Sequence, residues 1–220
     1  VIYVSCCLLI IFSNLSLIPD AVAEIFKGAF GARAVTGGAL GAMIVAMQKG
    51  IARGIFSNEA GLGSAPIAAA AAKTNEPVRQ GLVTMTGTFI DTILVCTMTG
   101  LTIVMSDCLE KNPQLEGVEI TNAAFCIGLP FPEKVSSFLL MICLIFFAFT
   151  TILGWNYYSE RCLSYLTASN NKAILTFRIL YIIAVFIGPY MTVSAVWGIA
   201  DIFNGLMAIP NIIALFALSG

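Results

Sequence analysis

The sequence contains no histidine, no pair of cysteines spaced two residues apart, and charged side chains at only 10% of its 220 positions. Structural and catalytic zinc sites are built mainly from His and Cys at short spacings, so the usual zinc sites are not expected here. Eleven basic and twelve acidic residues give a net charge of −1, which predicts no nucleic-acid surface. Without histidine, GxSxG or paired intramembrane carboxylates, an enzyme is not expected either.

Apolar residues dominate instead. Hydrophobic residues make up 59% of the chain, and the mean hydropathy is +0.94, which predicts an all-α polytopic membrane protein. Cysteines inside apolar runs are expected to act as small hydrophobic residues. Cys108 and Cys126 share the longest polar loop, so a disulfide between them is left open. Val1 already lies in a hydrophobic stretch, with no cleavable signal peptide before it, and we expect the chain to be part of a longer protein.

Long apolar stretches predict where the chain crosses the bilayer, since about 20 residues of helix are needed. Pro19-Asp20 predicts the end of the first span and the start of a short amphipathic interfacial helix, Asp20–Phe30. Ser106–Lys134 is predicted to be a long loop. Apart from the stretch Val35–Ala72, spans are predicted at Val1–Pro19, Gly81–Met105, Val135–Trp155, Ile174 to about Val193 with a kink at Gly188-Pro189, and Val196–Gly220.

The stretch Val35–Ala72 is about twice as long as one span requires, and it contains the polar, glycine-rich segment GIARGIFSNEAGLGSAP at Gly50–Pro66. Either two spans meet in a hairpin there, or one span is broken near mid-membrane. Gly54, Gly61 and Gly63 supply the freedom that unwound backbone requires, and we favour the broken span.

Four blocks carry a resemblance to a known family: GIARGIFSNEAGLGSAPIAAAAAKTNEPVRQGL, GTFIDTILVCTMTGL, FAFTTILGWNYYSERCLSYL and VWGIADIFNGLMAIPNIIAL. They resemble the alanine or glycine:cation symporter family of bacteria and archaea. The resemblance implies sodium-coupled symport of a small neutral amino acid, alanine or glycine, in the prokaryotic cell membrane. Sodium would be the coupling ion, and no other cofactor and no nucleic-acid partner is implied.

The resemblance also implies a partial LeuT-like inverted-repeat fold. Residues 1–220 would form a single transmembrane domain, with Val1–Pro19 as the fifth span and Val35–Ala72 as the broken sixth. The later runs would be spans seven to ten, and the first four spans would be missing. The alternative is a non-transporting fragment, or a half-transporter that needs a partner chain.

Phe56, Ser57 and Asn58 are the first candidate substrate-binding residues, because unwound helix ends offer N–H and C=O groups to both charges of an amino acid. The alternative is that Ser57 and Asn58 only cap the helix that restarts at Ala60. Substrate binding and helix capping by these residues are compatible.

The second candidate set lies in one predicted helix and consists of Phe147, Thr150, Thr151 and Trp155. Phe147, Thr151 and Trp155 are spaced four residues apart and so share a helix face, and Thr150 is adjacent to Thr151. The resemblance implies a sodium site at the carbonyl of Phe147 and the hydroxyls of Thr150 and Thr151, with Thr151 and Trp155 also facing substrate. Trp155 would wall the pocket against large side chains. The alternatives are an interfacial anchor for Trp155 and bonds from the threonines to their own helix backbone. Asp91 and Asp201 are expected to be structural.

Overall fold

The computed structural model describes residues 1–30 and 39–218, and all regular secondary structure in these residues is helical. The helices are α1 (Ile2–Ser13), α2 (Ile18–Phe30), α3 (Ala39–Asn58), α4 (Ala65–Ala69), α5 (Pro77–Phe89), α6 (Thr97–Met105), α7 (Cys108–Lys111), α8 (Val118–Gly128), α9 (Glu133–Leu166), α10 (Asn171–Ile187) and α11 (Val193–Leu218). Ile90–Cys96 is a π-helical stretch between α5 and α6, and 3-10 turns cover Leu15–Leu17 and Gly188–Tyr190.

Several of these helices are suited to a bilayer. Four described stretches are long and apolar enough to cross one: Pro77–Met105, Glu133–Leu166, Asn171–Tyr190 and Val193–Leu218. Ile2–Ser13 and Leu15–Gly28 meet the same test only as a pair bent by 79°. The prediction of an all-α, multi-pass membrane protein is therefore confirmed.

The first predicted span has a different boundary. The helix ends at Ser13 rather than Pro19, and the Asn14 side chain donates a hydrogen bond to Ile10 O at 3.0 Å, which competes with helix continuation. Pro19 instead lies in the first turn of α2, where its missing N–H costs little. The prediction of one continuous helix over Val1–Pro19 was therefore wrong. The helix predicted at Asp20–Phe30 is confirmed, and it starts at Ile18.

The helix predicted within Val35–Ala72 is interrupted, but α3 and α4 are not among the described stretches that are long and apolar enough to cross a membrane, so the choice between a broken span and a hairpin stays a prediction. α3 ends at Asn58 and α4 begins at Ala65, and between them Glu59, Gly61 and Gly63 have φ angles of 52°, 73° and 82°. These left-handed conformations end helical hydrogen bonding and favour glycine at two of the three positions. Residues 35–38 of the stretch lie outside the described residues.

Two later boundaries also differ from the prediction. The loop Ser106–Lys134 contains α7 and α8, and α9 runs eleven residues past Trp155 to Leu166. α9 continues through its polar end, where Ser159 Oγ donates to Trp155 O at 2.8 Å. It stops where Ala168 and Ser169 adopt positive φ angles of 49° and 63°. Asn170 then caps α10 by accepting a hydrogen bond from Lys172 N.

The span predicted from Ile174 to about Val193 is present as Asn171–Tyr190. Its predicted kink at Gly188-Pro189 lies in the 3-10 turn Gly188–Tyr190, and Met191 after the turn is extended. α11 then begins at Val193 and contains Pro210.

The described chain divides into two compact units, which are considered separately. The first comprises Val1–Gly54 and Met85–Ile145, and its core includes Tyr3, Cys7, Ile10, Phe125, Leu129, Leu140 and Cys143. Ile10 packs closely on Gly128, because a Cβ added at Gly128 would lie 2.8 Å from Ile10 Cγ2. Cys108 and Cys126 are both free thiols in this unit, so the open possibility of a disulfide between them is not supported.

The second unit comprises Ile55–Thr84 and Phe146–Gly220, described to residue 218. It contains the end of α3, the break, α4 and the part of α9 from Phe146 onward. Every predicted substrate-binding and sodium-binding residue therefore belongs to one unit.

Candidate functional site

The last turn of α3 carries the first predicted set. Phe56, Ser57 and Asn58 are the final helical residues before the chain unwinds at Glu59. Phe56 O accepts from Glu59 N at 3.4 Å, and Ile55 O accepts from Ala60 N at 3.1 Å. These two hydrogen bonds span three and five residues instead of the four of a regular α-helix, so α3 ends irregularly next to the non-helical segment.

Ser57 and Asn58 precede the break and do not begin the next helix. The alternative in which they cap a helix restarting at Ala60 was wrong, because Ser64 occupies the N-cap of α4. Ser64 is only 4% exposed, and its hydroxyl has no hydrogen-bond partner among the described residues.

The second predicted set lies on one turn of α9. Thr151 Oγ1 donates to Phe147 O at 2.8 Å, and Thr150 Oγ1 lies 3.0 Å from the same carbonyl and 2.9 Å from Phe146 O. The structure therefore brings the three predicted oxygen ligands together. The threonines do bond to their own helix backbone, as the alternative expected. A hydroxyl that donates one hydrogen bond keeps lone pairs that a cation can use.

Trp155 lies one turn after Thr151 and is half-buried. Its ring meets that of Tyr158 edge to face, with centroids 5.8 Å apart. This contact restricts the indole's orientation, as a pocket wall or an interfacial anchor would both require.

Two further helices contact these segments within the same unit. Tyr181 of α10 donates its hydroxyl to Ile152 O at 2.9 Å. Trp197 of α11 packs edge to face on Phe56, with centroids 5.3 Å apart. Asn211 of α11 donates from Nδ2 to Gly61 O at 2.9 Å. Both candidate segments therefore have supporting contacts from elsewhere in the unit.

None of the three residues Tyr181, Trp197 and Asn211 is predicted from the sequence. The available signal was strongest for Asn211, a polar residue in an apolar helix directly after a proline. A pattern in one sequence does not, however, show which distant backbone group such a side chain contacts.

A cavity of ≈770 Å³ lies nearby in the same unit, between α4 and the last turns of α9. The described residues that line it include Pro66, Ala70, Tyr157 and Arg161, but none of the predicted site residues.

Asp91 lies in the π-helical stretch Ile90–Cys96 of the first unit, and Asp201 lies within α11. Their expected structural role stays a prediction. The wider π turn itself was not foreseen, since the sequence there has ordinary helical periodicity.

Comparison with known proteins gives one consistent result. A family model described as "Sodium:alanine symporter family" matches residues 1–220. The chain is similar to an uncharacterized transporter of Haemophilus influenzae, with 51% identity over 219 residues that cover 99% of this chain and 47% of that protein.

Two named relatives are also similar. The sodium/alanine symporter AgcS of Methanococcus maripaludis is 46% identical over 223 residues, covering 100% of this chain and 47% of that protein. The probable sodium/glutamine symporter GlnT of Bacillus subtilis is 41% identical over 219 residues, covering 100% of this chain and 44% of that protein. The chain thus spans about half the length of the curated relatives it matches.

Proposed function

This chain belongs to the sodium:alanine symporter family, and we propose that it forms about half of a secondary transporter that carries a small neutral amino acid with sodium. It is a multi-pass membrane protein, and the proposed transport takes place across the prokaryotic cell membrane. The proposed substrates are alanine and glycine.

The observation that carries this proposal is the cluster of oxygen atoms on α9. Thr150 Oγ1 and Thr151 Oγ1 each lie within 3.0 Å of Phe147 O, in a helix that is long and apolar enough to cross a membrane. Hard cations take neutral carbonyl and hydroxyl oxygens as ligands, and such sites occur on transporter helices near mid-membrane. We propose that sodium binds here.

The proposed amino-acid site uses the end of α3. Unwound backbone after Asn58 provides polar groups for the substrate's charges, while Phe56 and Trp155 provide apolar walls. Trp155 would limit the side chain to the size of a methyl group or hydrogen. The relative named as a probable sodium/glutamine symporter makes glutamine the second candidate substrate.

The proposed architecture is the LeuT-like inverted repeat, of which this chain would supply about spans five to ten. A broken helix from each repeat faces the substrate in that arrangement. The break at Glu59–Ser64 supports this proposal. The alternative proposal is a non-transporting fragment, or a half-transporter that needs a partner chain.

The test is uptake of radiolabelled alanine by proteoliposomes containing the natural protein that carries this sequence. An inward sodium gradient is expected to drive accumulation, and an equal potassium gradient is not. Excess unlabelled glycine should compete, whereas excess leucine should not. Uptake that is equal in sodium and potassium would refute sodium coupling, and stronger competition by glutamine than by glycine would favour the second candidate substrate.

A further inference from the structure

Asn211 of α11 contacts the unwound segment Glu59–Ser64 at two points. Its Nδ2 donates to Gly61 O at 2.9 Å, across 150 residues of sequence. Its side chain also lies against Gly63, where an added Cβ would be 3.2 Å from Oδ1 and 3.3 Å from Cγ. The Asn211 side chain therefore contacts two of the three residues that have positive φ within the segment Glu59–Ser64.

The hydrogen bond meets a need that the break creates. Gly61 lies outside both α3 and α4, so its carbonyl is not part of a regular helical ladder. A carbonyl in an apolar environment costs free energy unless a donor reaches it. Asn211 is half-buried and supplies that donor from another helix.

The local sequence of α11 is consistent with a specific role for this side chain. Asn211 directly follows Pro210 inside the helix, where proline lacks an N–H and so removes one helical hydrogen bond. Both residues are unfavourable in a helix interior. Packing alone would be better served there by an aliphatic side chain.

Gly63 is the matching feature on the other side of the contact. Its φ of +82° favours glycine, and the close approach of Asn211 leaves too little space for a side chain without a shift of neighbouring atoms. Leu62 and Ser64, on either side of it, are each only 4% exposed. The segment is therefore seated in the second unit, with the Asn211 contact between its buried neighbours.

We propose that Asn211 is a positioning residue that fixes the unwound segment Glu59–Ser64 and thereby orients the end of α3 for substrate. The orienting part rests on the proposed function. α11 also reaches the start of this region, since Trp197 packs on Phe56. Two side chains of one helix thus contact the residues on either side of the point where α3 ends.

Hydrogen exchange tests the contact without reference to transport. In Asn211→Leu, which keeps a similar volume but removes the donor, amides of residues 59–64 should exchange about threefold to tenfold faster, as expected for loss of one hydrogen bond. Asn204→Leu is the matched control, because Asn204 is also half-buried and lies about two turns earlier in α11. Unchanged exchange at 59–64 in Asn211→Leu, or an equal increase in the control, would overturn the proposal.

Uptake kinetics test the positioning role. Asn211→Leu should raise the half-saturating alanine concentration at least threefold, and Asn211→Gln should restore part of the loss because it keeps an amide donor. If exchange rises while every kinetic constant stays at the parent value, the orienting role is refuted. If the parent protein itself takes up no amino acid, the proposed function fails, and the exchange measurement still decides whether Asn211 holds the segment.

A double variant gives an independent check. Gly63→Ala should accelerate exchange at 59–64 less in an Asn211→Ala background than in the parent, because the close contact is then gone and only backbone strain remains. Equal effects in the two backgrounds would contradict the contact.

Discussion

Tyr181 donates its hydroxyl to the backbone carbonyl of Ile152 at 2.9 Å, one residue after Thr151. The bond joins α10 to the turn of α9 that carries the proposed sodium ligands. A second connection between the two helices is the bidentate pair of Arg178 with Glu160, at 2.9 and 2.6 Å. α10 therefore holds α9 on both sides of Trp155.

Tyr181→Phe is expected to lower stability by about 1 kcal/mol, because a half-buried hydrogen bond is lost while the ring remains. This corresponds to a fall of about 2–4 °C in the melting temperature of the detergent-solubilised protein. Tyr165→Phe is the control, since its side chain is 89% exposed. An equal fall in both variants would show that the bond to Ile152 contributes nothing.

Trp155→Ala is expected to weaken alanine uptake and admit larger neutral amino acids. A change of one methylene in an apolar pocket changes binding by about 1–3 kcal/mol, so the preference for alanine over leucine should fall roughly tenfold or more. The measurement is competition of unlabelled leucine with labelled alanine. Trp197→Ala serves as a comparison, because Trp197 contacts Phe56 but is not predicted to touch substrate. Selectivity that stays at the parent value in well-folded Trp155→Ala would remove Trp155 from the pocket.

The 220-residue chain by itself is expected not to transport. In the proposed inverted-repeat architecture the substrate lies between two broken helices, one from each repeat, so this chain provides about half of the polar contacts. Backbone groups left without partners in hydrocarbon cost several kcal/mol each, so the isolated chain should also be unstable or associate with another chain.

Purified chain in liposomes provides that measurement, with sodium-driven alanine uptake as the readout. Robust uptake with no other protein present would mean either that copies of the chain assemble a complete site or that the proposed architecture is wrong. Cross-linking of the active liposomes would separate these two explanations.

Much of the helical architecture follows from local sequence. Continuous apolar runs predicted the later spans, and the glycines at 61 and 63 predicted the break, because only backbone with unusual φ angles needs them there. The end of α1 was missed because Asn14, rather than the more conspicuous Pro19, ends that helix. Proline near a helix start is favourable, so its position alone does not distinguish an end from a beginning.

The candidate site was predictable only within single helices. Helical spacing placed Thr150 and Thr151 near the carbonyl of Phe147, and the structure contains those contacts. The supporting bonds from Tyr181 and Asn211 join residues far apart in sequence, which periodicity cannot pair. The tertiary partners of α9 and of the break therefore required the structure.

Sodium binding on α9 is tested most directly by the sodium dependence of uptake in the double variant Thr150→Val/Thr151→Val. Valine keeps the packing but removes both hydroxyl ligands, so the half-saturating sodium concentration should rise about tenfold or more, given that a bond to a charged group contributes about 1.5–3 kcal/mol.

Thr176→Val is the matched control for this measurement, because Thr176 donates to Lys172 O at 2.9 Å in the same backbone pattern but lies on α10. Its sodium dependence should equal that of the parent, and Thr150→Ser/Thr151→Ser should restore most of the affinity lost in the valine variant. A valine double variant that is folded, transports alanine and has the parent's sodium dependence would contradict a sodium site on α9.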